Sequence, residues 1–353
     1  MTKPGSVATQ TGGANRISMQ EVAKRAGVAP SSVSRVLSGH PNVSEVMKNR
    51  VIDAVAALGY EPDLLAQSLR RGASMTIGFV VASISNPLIS EIALGAETCL
   101  RASGYSMLLT NSMNSPTLDA EHIRLLTQRR VDGLLLSVSS EQAPGTIDAV
   151  ERSGCPVVLV DREMSVNRPL SAVIADHDAG VAEAVRHLAS FGHRRIALVN
   201  GPSDLRPARD RATTLRRISR QLGLSALVRS GDFTTEHGES ATEGLLSESS
   251  PPTAIVAGSN QILVGVLRAL RRHDVRIPDD ISLVTCDEVP LAEFLVPPLA
   301  TIERDHHQMG VLGAQLLLES IAGAAPSILS VPTVYVPTAS VGPVSTRGHV
   351  PRQ

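Results

Sequence analysis

From Thr76 onward, short apolar runs alternate with longer amphipathic stretches, and this rhythm limits the fold more than any other feature of the chain. The runs are Ile77–Val81, Ser106–Leu109, Gly133–Leu136, Val157–Val160, Ile196–Val199, Ala254–Ala257 and Ile281–Thr285. Between them, Leu88–Ser103, Ala179–Phe191, Ala208–Leu222 and Ile262–His273 carry helical periodicity. Strands apolar on both faces and separated by helices assemble into parallel sheets from βαβ units. Seven or more strands over roughly 270 residues suit two doubly wound subdomains better than one sheet.

Residues 17–62 follow another pattern, three short helices. Ser18 with Glu21 three positions on is a capping box, opening a helix that carries Val22, Ala23 and Ala26 and ends at Gly27. Pro30 suits the first turn of a second helix, with Val33, Val36 and Leu37, stopping at Gly39. Ser44 can cap a third, with Val51, Val55 and Leu58 on one face and Gly59 beyond it. Two short helices separated by Gly27 have helix-turn-helix spacing. The second would enter the DNA major groove with Pro30, Ser31, Ser32, Ser34 and Arg35 toward base edges and phosphates. Charge distribution fits: residues 1–72 hold nine Lys/Arg against five Asp/Glu, a net +4, while the remainder is net −5.

Further observations narrow the class. No apolar run reaches the ~20 residues of a membrane span. The polar Met1–Asn15 stretch lacks a signal-peptide pattern, so a cytoplasmic location is expected. Cys99, Cys155 and Cys286 lie far apart in apolar surroundings and read as buried free thiols. Histidines 177, 187 and 193 show no metal spacing, and His306-His307 reads as a solvated helix start.

Specific segments carry a family resemblance. Met19-Gln20-Glu21-Val22-Ala23-Lys24-Arg25-Ala26-Gly27-Val28, Val33-Ser34-Arg35-Val36-Leu37 and Leu58-Gly59-Tyr60-Glu61-Pro62 resemble the head of the lactose-repressor (LacI/GalR) family. Ala29, Ser32 and Asp63 depart from its usual Ser, Thr and Asn. In the body, Arg129–Leu136, Phe191–Ala197, Asp280–Val284 and Pro297–Ile302 are similar to its most recognisable stretches. The resemblance implies an all-α helix-turn-helix head on an α/β body of two doubly wound parallel-sheet subdomains, periplasmic-binding-protein-like. The implied layout is a tail at 1–16, the head at 17–62, a hinge helix at 63–74, a sensing and dimerising body at 75–342, and a tail at 343–353. The N-subdomain would comprise about 75–174 and 304–333, the C-subdomain about 175–303 and 334–342.

Site residues follow from the same comparison. Asn42, Ser44 and Tyr60 join the recognition helix as implied DNA contacts. In the hinge, Asp63 would cap, Leu65 and Ala66 would pair with a second copy, and Leu69 would wedge between base steps. Eight or nine residues are too few for a helix to stand alone.

Doubly wound sheets bind ligands beyond the carboxyl ends of their strands. The residues just after the expected strands are Ser83, Asn111, Ser137, Asp161, Ser259 and Asp287, a polar and acidic ring suited to hydroxyl-rich ligands. The resemblance implies effector contacts at Asn86, Ser137, Asp161, Arg211, Phe233, Ser259, Asn260 and Asp287. Ser259-Asn260 stands for the family's usual Asn-Asp, Leu88-Ile89 for an aromatic pair, and His306 for another aromatic.

The expectation is a transcription regulator, a homodimer on a palindromic operator, controlled by a small polar effector such as a sugar, with no cofactor, metal or membrane partner. An α/β enzyme acting on a sugar-like substrate is the alternative; the chain has no P-loop, dinucleotide fingerprint, nucleophile elbow or zinc-protease motif. An exported sugar-binding protein would need a leader and no DNA-binding head. Arg347–Gln353 has no leucine heptad, so a dimer rather than a tetramer is expected.

Overall fold

A computed structural model describes residues 17–37, 40–60, 72–287 and 295–344. The expected hinge, with Asp63, Leu65, Ala66 and Leu69, lies outside them. The chain divides into two compact units, Met1–Ser74 and Met75–Gln353.

The described part of the first unit is three helices, α1 (Met19–Ala26), α2 (Pro30–Leu37) and α3 (Glu45–Leu58). Both halves of the capping box form: Ser18 Oγ accepts from the Glu21 amide at 3.3 Å, and Glu21 Oε2 accepts from the Ser18 amide at 2.7 Å. Gly27 closes α1 in the left-handed region, at φ +65°. A side chain there would also meet Arg50 of α3, whose guanidinium donates to the Gly27 carbonyl at 3.3 Å. The turn between the two motif helices is thus fixed by a glycine and by an arginine lying over it. Val22, Ala23, Ala26, Val33, Val51, Ala54 and Tyr60 fill the core of this unit.

The second unit contains two six-stranded sheets. The first uses β1 (Thr76–Val81), β2 (Ser106–Asn111), β3 (Gly133–Ser137), β4 (Val157–Val160), β5 (Ser171–Asp176) and β11 (Ile328–Pro332), in the order β11-β5-β4-β3-β1-β2, all parallel. The second uses β6 (Arg195–Asn200), β7 (Ser225–Ser230), β8 (Ala254–Ala257), β9 (Ser282–Cys286), β10 (Ala300–Glu303) and β12 (Val334–Val336), in the order β12-β10-β9-β8-β6-β7. Only β12 runs antiparallel to its neighbour. The helices are α4 (Pro87–Ala102), α5 (Pro116–Gln128), α6 (Pro144–Glu151), α7 (His177–Ser190), α8 (Arg206–Leu222), α9 (Thr235–Leu246), α10 (Asn260–Arg272) and α11 (His306–Ile321). Each sheet is buried on both faces: Val80, Leu134, Leu136 and Leu159 look to one side of the first, Ile77, Phe79, Leu135 and Val160 to the other. The chain passes between subdomains three times, from β5 into α7, from β10 into α11, and from β11 into β12.

Two expectations need correction. Of the three free cysteines only Cys286 is fully buried; Cys99 and Cys155 are partly exposed. Cys99 lies at the margin of the buried stripe of α4 and packs against the core from there, and Cys155 precedes β4 in a loop and does the same. His306 is not solvated but 8% exposed. It opens α11 behind the N-cap Asp305, at a crossover between subdomains where both halves cover it.

Candidate functional site

On the head, α2 presents Pro30, Ser31 and Arg35 to solvent and Ser32 and Ser34 partly so. Its first turn holds no acidic residue, leaving the positive end of its dipole uncompensated for an approaching phosphate. Asn42 is exposed, and Ser44 spends its hydroxyl on α3, accepting from the Met47 amide at 3.3 Å. Tyr60 is 8% exposed and belongs to the head's core.

In the body, the carboxyl ends of both sheets face a cleft of about 390 Å³. All eight implied contacts line it: Asn86, Ser137, Asp161, Arg211, Phe233, Ser259, Asn260 and Asp287. Ser83 lines it as well. Asn111 is not among its walls; its Oδ1 accepts from the Ile84 and Met113 amides and shapes the turn after β2.

The two carboxylates are set by the same local device. Asp161 follows β4 and Asp287 follows β9, and both sit at positive φ, +52° and +73°. Each donates its amide to the neighbouring strand, to the Val173 carbonyl at 2.7 Å and the Ile302 carbonyl at 2.9 Å. Asp tolerates this left-handed conformation better than most residues, and the turn directs each side chain into the cleft.

Between the carboxylates stands Arg304, one residue past β10, with a side chain 8% exposed. Its guanidinium donates to Asp161 Oδ2 at 2.7 Å and reaches Asp287 Oδ1 at 3.2 Å. It also donates to His306 Nε2 at 2.9 Å and meets His177 Nε2 at 3.2 Å. The same imidazole atoms also face the carboxylates, His306 Nε2 at 3.3 Å from Asp287 Oδ1 and His177 Nε2 at 3.8 Å from Asp161 Oδ1. Burial, followed by the charge of Arg211, lowers the His177 pKa to about 4. Burial raises the carboxylates' pKa values, but Arg304 and the surrounding cations outweigh it and hold both below the usual range. One arginine therefore joins an aspartate from each subdomain.

Further polar contacts join the subdomains. Asn260 donates to Asn86 Oδ1 at 2.9 Å, and Ser140 donates to Asp204 at 2.9 Å. Glu141 Oε1 accepts from the Arg206 amide at 2.9 Å and its Oε2 pairs with Arg209 at 2.7 Å. Ser259 caps α10 and Asn86 caps α4, so both are also held by their helices. Phe233 lies so close over Gly201 that a Cβ there would fall 2.1 Å from the ring. The bare glycine lets the ring form one wall.

Sequence reasoning missed Arg304, Arg162, His177, Glu141 and Arg206. The available signal is Arg304's place directly after Thr301-Ile302-Glu303, a stretch too short to stand out as an apolar run. Among the described residues there is no cluster of potential metal ligands, and no helix is long and apolar enough to cross a membrane.

A head of this kind on such a two-sheet body defines a class of DNA-binding regulator, and comparison with known proteins agrees. Residues 18–63 match the model of "Bacterial regulatory proteins, lacI family", and residues 185–341 match "Periplasmic binding protein-like domain". The chain is 33% identical over 307 residues to the ribose operon repressor of Escherichia coli, covering 86% of this chain and 92% of that protein. It is 30% identical over 308 residues to the HTH-type transcriptional repressor CytR of the same organism, covering 86% and 90%. The crystal structure of the lac repressor dimer bound to operator and the anti-inducer ONPF superposes with a TM-score of 0.83 at 26% identity, over 93% of this chain and all of that one. The protein belongs to the lacI family of bacterial regulatory proteins. It is a DNA-binding transcriptional regulator, not an enzyme.

Proposed function

We propose that the chain acts in the cytoplasm as a homodimeric repressor on a palindromic operator, and that a polyhydroxylated metabolite occupying the cleft sets its affinity for DNA. The observation that carries this reading is the bridge Asp161–Arg304–Asp287. It joins the subdomains at the bottom of the cleft, so a ligand that engages these groups acts on the junction itself. The cleft volume lies at the lower end of the range for small-molecule sites and suits a monosaccharide or a slightly larger ligand. Relatives support the biology: one is named for the ribose operon, and the lac repressor structure is a dimer on operator DNA. Dimerisation is supported further by exposed apolar residues on the edge strand β2 and on α4, Leu108 and Leu94. We assign residues 63–71 the coupling role, with Leu69 as the minor-groove wedge.

The test begins with an operator selected from random DNA, titrated in the presence and absence of sugars and related metabolites. Asp287→Asn is expected to keep effector-free operator affinity within about threefold and to remove a response of about 5–150-fold. Loss of operator binding in a folded Asp287→Asn protein would refute the division of labour between head and cleft.

A further inference from the structure

The floor of the cleft carries more positive than negative charge. Arg162, Arg211 and Arg304 line it, against Asp161 and Asp287; Asp232 also borders it but is exposed at the rim. Arg206 comes within 3.7 Å of Asp161 but pairs with Asp210 at 2.8 Å. Arg304 and Arg211 are matched by the two aspartates. Arg162 is the remainder. Its Nε donates to the Val138 carbonyl at 2.7 Å and its NH1 to the Asp161 carbonyl at 2.8 Å. Both acceptors are neutral; Asp161, Glu141 and Asp119 act on it only from beyond ion-pair distance.

A second observation points the same way. Arg211 has a side chain 3% exposed, and its NH1 donates to the Gly258 carbonyl at 2.8 Å. Its Nε has no hydrogen-bond partner, and its NH2 stays 3.8 Å from Asp287. Buried donors are rarely left unmatched, and a guanidinium edge is shaped for a two-oxygen anion. Meanwhile Arg304 already engages one oxygen of each aspartate, so the carboxylates have less capacity left for hydroxyl donors.

We infer that the effector is an anion, a polyhydroxylated carboxylate or phosphate whose charged group answers Arg162 and whose hydroxyls meet the remaining polar walls of the cleft. This rests on the reading of the cleft as the effector site. A neutral sugar would leave Arg162 without a directly paired anion, answered only from beyond ion-pair distance by Asp161, Glu141 and Asp119, and burying a charge without a direct partner is unfavourable. The cleft volume holds the ligand to about the size of a hexose derivative.

The experiment uses full-length protein and matched pairs: gluconate with glucose, galacturonate with galactose, and ribose 5-phosphate with ribose. Binding is measured by calorimetry and by thermal shift. At least one anion is expected to bind about tenfold or more tightly than its neutral partner, with the preference weakening as salt rises. Arg162→Gln should bring such a pair to within about threefold, while Arg162→Lys, which keeps the charge, should retain most of the preference. Comparison of the acid pairs with the phosphate pair separates the two sources of negative charge. Neutral sugars that bind as well as or better than their anions overturn the inference and leave the effector reading standing. So does an Arg162→Gln protein that loses both members of a pair by the same factor, since the residue would then be only structural. If no compound of either kind shifts melting or operator affinity, the effector reading and this inference fall together.

Discussion

The head and the body solve the problem of building a site in opposite ways. The head's proposed DNA surface sits largely on one eight-residue helix, α2, held by a short loop and by Arg50 over Gly27. The body's cleft draws its walls from strand ends and helix starts between Ala82 and Arg304. A local site can change one side chain at a time with little effect on the fold. In a site made by long-range convergence, each buried charge is also part of the structure, so function and stability cannot be varied separately. The comparison breaks if substitutions in the cleft prove as mild as substitutions on α2.

The largest effect should come from Arg304. Removing it leaves Asp161 and Asp287 buried, facing each other across the junction without their shared cation. Breaking a buried ion pair from one side typically costs about 3–5 kcal/mol. Arg304→Ala should therefore lower the body's thermal unfolding temperature by many degrees. Arg304→Met, which keeps volume but not charge, should suffer nearly as much. A loss below about 1 kcal/mol in either variant would mean that the carboxylates are not held by this residue.

Sequence patterns revealed the two sites to different depths for the same reason. In the head, the signals are short-range: Ser18 with Glu21, Pro30 at the start of α2, Ser44 and Gly59 at the ends of α3, and each is found where those neighbours put it. In the body, seven strands show as apolar runs: six are buried in their sheets, and the seventh, β2, is a half-exposed edge strand that is legible from its apolar residues alone. The edge strands β7 and β11 do not, since they carry half-exposed and polar residues, β12 is only three residues long, and the central β5, though buried, is bounded by Ser171 and Asp176 and is not among the runs. The strand-end rule led to Asp161 and Asp287 but not to Arg304, because β10 went unrecognised. Nor could spacing show that residues 161, 287 and 304 converge; only the crossover from β10 into α11 brings them together. His306 was misread because a histidine pair at a helix start is solvated unless a second subdomain covers it.

A medium effect should follow pH. His177 is neutral in the fold, its pKa lowered to about 4 by burial and then by Arg211, whereas an unfolded histidine titrates near 6.5. Between those values the unfolded chain binds a proton that the folded chain refuses. Stability therefore falls as pH drops from 6.5 toward 4, by about 3 kcal/mol from this residue. Asp161 and Asp287 have depressed values, so their contribution is intact in the upper part of this window and is lost progressively below about pH 5, adding to the fall at its acid end. Denaturant titrations of the body at several pH values should show this slope, and His177→Gln should reduce it, leaving the part that comes from His193, whose pKa burial also lowers. A body whose stability is level from pH 7 to pH 4.5 would contradict the placement of His177 in a dry, cation-rich pocket.

The smallest of these effects should come from Arg35, and it tests the other half of the comparison. Arg35 is exposed on α2, so its loss should hardly affect folding of the head. Its guanidinium has the fork that matches O6 and N7 of guanine, a pairing worth about 1–3 kcal/mol of discrimination. Arg35→Ala should weaken binding to the selected operator by about that amount and relax preference at one base pair in each half-site. Binding to random DNA should change less, because that component comes from phosphate contacts. The salt dependence separates the roles: loss of a phosphate contact lowers the salt slope on all sequences, whereas loss of a base contact leaves the slope on random DNA in place. Equal losses on operator and random DNA would make Arg35 a backbone contact and leave specificity to the serines of the same helix. In either case the melting temperature of the body should not move, which Arg304→Ala cannot match.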